Sequence, residues 1–138
     1  MGSDSRLTAN GDLWNEVESA VQNSLCDSAC IIEATTKRAA YVLGQDNIGE
    51  LGIGFRADFI INRPSERSLI QLIVKGGIPQ IGDPDIMAKF PHIETVSALL
   101  DGVPKSINIS LARQIQNCKL KEQGLELIEI PRKKFWIF

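Results

Sequence analysis

A chain of 138 residues, 43% of them hydrophobic and with a mean hydropathy of -0.02, has the composition of one ordinary globular unit with one core. A formal net charge of -2 and a pI near 5.4 leave no positive excess with which to grip nucleic-acid phosphates. No apolar run approaches the roughly 20 residues that span a bilayer, and Met1 to Asn10 are polar rather than the apolar centre of a signal peptide. The expectation is a cytoplasmic chain with neither nucleic acid nor membrane as partner.

In chain order, the short stretch Met1 to Thr8 comes first, and its Gly2-Ser3 start also reads as an expression scar. Asp12 then caps a helix, in which Leu13, Val17, Ala20 and Val21 recur at three- and four-residue spacing with Trp14 at the edge of that face. Asn23-Ser24 ends it. Asp27 or Ser28 caps a second helix through Ile31, Ile32, Ala34, Thr35, Ala39 and Val42, closed by Gly44 in a left-handed C-cap. Thr35 and Thr36 within that helix are better suited to bonding back to carbonyls than to touching a substrate.

Gly49, Gly52 and Gly54 punctuate the next stretch and suit tight turns before the apolar run Phe59-Ile60-Ile61, a buried strand candidate. Leu69 to Val74 and Ile78 to Ile81 flank Lys75-Gly76-Gly77, which marks a hairpin because primed turns need positive φ. Asp83-Pro84 is an N-cap followed by proline at the first helical position, predicting a short helix to Phe90 that Pro91 stops. Thr95 to Leu100 and Ser106 to Ser110 read as strands around the turn cluster Asp101-Gly102-Val103-Pro104. Leu111, Ile115, Cys118 and Leu120 suggest a helix ended by Gly124, and Leu125 to Ile130 a strand stopped by Pro131. The tail Arg132 to Phe138 joins a basic run to Phe135, Trp136, Ile137 and Phe138, and reads as a strap over the core or a strand rather than a docking segment. The fold class is therefore α+β: two N-terminal helices followed by a β-rich, sandwich-like unit.

Candidate ligands are few. Cys26, Cys30 and Cys118 are an odd set for a disulfide framework. Cys26 and Cys30 sit four apart, but a tetrahedral zinc needs four ligands, and only Cys118 and His92 remain as sulfur or nitrogen donors, on unrelated segments. Buried free thiols are the better reading. His92, the single histidine, follows Phe90-Pro91 in a connector with no partner carboxylate motif, so it is not assigned to catalysis.

Gly49, Leu51, Gly54, Ala57 and Asp58 spell Gly-x-Leu-x-x-Gly-x-x-Ala-Asp ahead of an apolar run. This resembles the segment by which metal-dependent amidohydrolases leave their catalytic barrel and pass into a C-terminal β-sandwich. Val74-Lys75-Gly76-Gly77 and Gly82-Asp83-Pro84-Asp85-Ile86-Met87 are similar to the hairpin and short helix that follow in that family. Ala34-Thr35-Thr36, Arg38-Ala39-Ala40 and Leu43-Gly44 resemble its last barrel helix. The resemblance covers residues 2 to 90 well and the remainder loosely. It divides the chain into residues 1–47, a remnant of the last barrel strand and helices, and residues 48–138, a composite sandwich segment with a C-terminal extension.

What the resemblance implies is specific. Gly2-Ser3-Asp4-Ser5 is similar to the end of the eighth barrel strand, where an aspartate meets the metal and the attacking water, so Asp4 becomes both catalytic residue and metal ligand. Its carboxylate would take a proton from metal-bound water and hand it to the leaving nitrogen. The family's divalent metal, zinc or iron, is otherwise held by a His-x-His pair, a lysine or glutamate and further histidines from earlier strands, and this chain has one histidine in all. One carboxylate cannot hold a catalytic metal, so the chain alone is expected to hydrolyse nothing. Its expected partner is a complementing barrel fragment or a second copy, because strands from the missing part would otherwise leave edges unpaired. A non-catalytic β-rich interaction or assembly module is the alternative, and an unrelated small α/β binding domain a third reading.

Overall fold

Helix α1 (Leu13–Gln22) starts where the sequence places it in the computed structural model, which describes residues 11–23, 27–63, 67–119 and 121–128. Asp12 Oδ1 accepts from the amides of Trp14 at 2.9 Å and Asn15 at 3.4 Å, and Asn15 Oδ1 accepts in return from the Asp12 amide at 2.8 Å. That reciprocal pair is a capping box and satisfies amides that have no partner within the helix. Of the apolar face only Ala20 is buried, while Leu13 and Val21 stay exposed.

The second helix divides in two. Asp27 caps α2 (Ser28–Thr35) by accepting from the Cys30 amide at 2.7 Å, and α3 runs Lys37–Val42. The break falls at Thr36. Its hydroxyl donates to the Ile32 carbonyl at 2.7 Å, the acceptor that its own amide would use in a continuous helix, and the amide turns to Glu33 O at 3.3 Å. Thr35 also bonds backwards, to the carbonyls of Ile31 and Ile32. Gly44, at φ 64, closes α3 as expected: its amide bonds Tyr41 O while the Gln45 amide bonds Ala40 O, the paired contacts of a Schellman motif. Helix α1 packs on α2 and α2 on α3, with Ala20, Ile31 and Ala40 buried.

The strands β1 (Phe59–Asn62), β2 (Ile70–Lys75), β3 (Ile78–Gly82), β4 (Thr95–Leu100), β5 (Val103–Asn108) and β6 (Leu125–Leu127) form one antiparallel sheet in the order β1-β2-β3-β5-β4-β6. The chain is α+β, as its periodicities predict. A second sheet facing the first is absent among the described residues. Both hairpins turn on two residues with positive φ, Gly76 and Gly77 (59 and 77) and Asp101 and Gly102 (49 and 80), matching the twist of the flanking strands. Pro104 belongs to β5 rather than to the turn, opposite Leu99. It is tolerated because β3 pairs only with Ser106 and Ile107, leaving β5 without a second neighbour at that level among the described residues.

Alternation along β2 separates two cores. Leu72 and Val74 join Met87, Phe59, Ile86, Phe90 and Ile93 around α4 (Pro84–Met87) on one face. Ile73 points the other way and joins Ile81, Val96, Ala98, Leu100 and Ile107 under α5 (Ile109–Asn117). Helix α5 contributes Ile109, Ala112, Leu111 and Ile115, and ends at Asn117, short of the Gly124 stop expected for it. Cys118 is exposed and extended, so it does not continue the apolar stripe. Phe59-Ile60-Ile61, expected as a buried strand, is an edge strand of the sheet among the described residues, with Ile60 50% and Ile61 44% exposed. No described helix is long and apolar enough to cross a membrane.

Candidate functional site

The segment Gly49 to Asp58 is held at both of its ends. At the first, Gly49 lies against α3 with φ 91, and a Cβ there would stand 2.9 Å from both the Thr36 carbonyl oxygen and the Ala40 methyl. Glu50 adds a 2.9 Å ion pair to Lys37, and its carboxylate raises the Lys37 pKa above the ordinary lysine value. Residue 49 must therefore be glycine on two counts, backbone conformation and space.

At the other end, Ala57 and Asp58 clasp the β2–β3 turn. The Ala57 carbonyl accepts from the Gly77 amide at 2.9 Å, and Asp58 Oδ1 accepts from the Gly76 amide at 2.6 Å. Asp58 Oδ2 takes Arg56 in a fork, with Nε at 2.6 Å and Nη2 on the same oxygen. Bonds from the Arg56 guanidinium, and then from the Gly76 amide, hold the Asp58 carboxyl below its ordinary pKa; the same contact raises Arg56. Arg56 also returns its amide to Asn47 O at 2.7 Å. Asp58 thus anchors the strand and turn, with both oxygens engaged.

A second polar centre lies inside the sheet, and no sequence motif announced it. Lys105 on β5 has a side chain only 1% exposed; its Nζ donates to the Ile70 carbonyl and to Asp83 Oδ1, each at 2.5 Å. The ammonium fills the level at which β3 has ended, linking β5 to the start of β2 and to the β3–α4 junction. Asp83 was expected to cap α4 with its side chain. That cap bond is absent, because the carboxylate is turned to Lys105. Its backbone still serves the junction, its amide donating to Gln71 O at 2.9 Å and its carbonyl accepting from Met87 N at 2.9 Å. The sequence pattern gave no sign that a lysine would occupy a core position of β5.

Asp4, expected to be catalytic and to bind metal, lies outside the described residues, as do Cys26 and the tail from Arg132 to Phe138. Among the described residues no three His, Cys, Asp or Glu side chains come together to hold a metal ion. His92 is exposed, with its ring edge-on to Phe90, and Cys30 and Cys118 are free thiols. The described donors do not fit a zinc or iron site, so such an ion would need ligands from elsewhere. The chain also exposes Tyr41, Val42 and Leu43 at the end of α3, and Leu51 and Ile53 in the connector, in addition to Ile60 and Ile61. No family model, curated protein or solved structure matches the chain.

Proposed function

We propose that the chain is the C-terminal part of an amidohydrolase-like hydrolase, acting on carbon–nitrogen bonds other than peptide bonds by metal-activated water, and inactive without the part that supplies the metal ligands. The observation that carries this reading is the clasp. Gly49, Gly54, Ala57 and Asp58 of the amidohydrolase-like pattern are the residues at which the chain turns with positive φ or grips the Gly76–Gly77 hairpin. Ala57 and Asp58 meet the hairpin directly, while Gly49 seats the other end of the same connector against α3, so these positions of the pattern fall where the segment is fixed. Asp4 keeps the catalytic role in this proposal, and the zinc or iron would be held mainly by another segment or chain. A cytoplasmic setting belongs to the same proposal.

The second reading, a non-catalytic β-rich interaction or assembly module, is favoured by the exposed apolar residues of α3, the connector and β1. Both readings give the chain a partner, a complementing barrel fragment or a second copy. The coding sequence adjoining Met1 separates them: a His-x-His pair followed by further histidine ligands supports the hydrolase, and their absence supports the module. In solution, the purified chain with zinc or iron should leave cyclic amides intact, and mixing it with the complementing barrel portion should start hydrolysis. Asp4→Asn should abolish that hydrolysis without weakening the complex.

A further inference from the structure

We draw no further inference here: the strongest candidate, the outer edge of β1 with its exposed Ile60 and Ile61, carries nothing beyond the partner already proposed, because nothing in the structure shows what covers it.

Discussion

Lys105 Nζ and Asp83 Oδ1 stand 2.5 Å apart, one on a core strand and the other at a strand–helix junction, and the pair is asymmetric: the lysine side chain is 1% exposed, the aspartate 29%. Removing the two partners should therefore not cost the same. Asp83→Ala leaves a buried ammonium with the Ile70 carbonyl as its one described acceptor, and a stranded buried charge costs about 3–5 kcal/mol. Lys105→Met keeps the stem's volume, strands one carbonyl, and leaves Asp83 partly in water, for about 1–3 kcal/mol. Urea unfolding of both variants measures the order. Equal and small losses would show that the pair contributes little.

Asp58 gives the fold an acid-sensitive joint. Its folded pKa is depressed below the ordinary value of 3.8, so the stability it contributes is complete above that value and is lost as pH falls through the folded pKa. The expected window lies below about pH 4, in the acid limb of the titration. Protection of the Gly76 amide, taken relative to its intrinsic exchange rate at each pH, should fall there before β4 and β5 open, since the bond to Asp58 is what protects it. Asp58→Ala, which removes both acceptor oxygens, should show low Gly76 protection already at neutral pH and no further change over the acid window. An unchanged Gly76 amide in that variant would remove the clasp from the account.

Two glycines in the connector separate backbone conformation from packing. Gly54 has φ 86 and nothing within 4 Å of a built Cβ, whereas Gly49 has φ 91 and meets Thr36 O and the Ala40 methyl at 2.9 Å. Gly54→Ala should cost about 1 kcal/mol from the positive φ alone. Gly49→Ala should cost clearly more, because the Cβ must also push α3 away, and the excess should appear as exposure of Ala40 and loss of helical signal. Equal shifts in the urea midpoint would mean that α3 yields without resistance.

The local chemistry of this fold was legible because it depends on near neighbours. Asp12, Asp27 and Gly44 act at the helix ends their sequence positions indicate, and Gly76-Gly77 turns between the two strands expected to flank it. What stayed illegible depends on distant residues. That β1 is an edge follows from the strand order, which no property of Phe59-Ile60-Ile61 encodes. Lys105 was hidden because Val103-Pro104 reads as part of the turn and the strand as starting at Ser106, so no periodicity marks Lys105 until β5 is seen to begin at Val103 and Asp83 and Ile70 to converge on the lysine. The break at Thr36 sits between these cases: backward bonding by its hydroxyl was readable, whereas its displacement of the amide from Ile32 O was not. The expected metal chemistry of Asp4 falls outside the described residues.

The outer edge of β1 offers the most direct test of the proposed partner. Along Phe59-Ile60-Ile61-Asn62 there is no charge and no proline, whereas β6, at the opposite edge, carries Glu126. Edge strands without such protection pair readily with other chains. Ile60 and Ile61 alternate faces and are both about half exposed, so an added strand would bury apolar surface above and below the sheet. Sedimentation of the purified chain should show association, or apolar dye binding that falls when the complementing fragment is added. Ile60→Lys should reduce that association while changing unfolding stability by less than about 0.5 kcal/mol, because the side chain is already half in water. A monomer that binds no dye, with Ile60→Lys indistinguishable from it, would leave β1 as an ordinary edge and remove the physical ground for a partner at this strand.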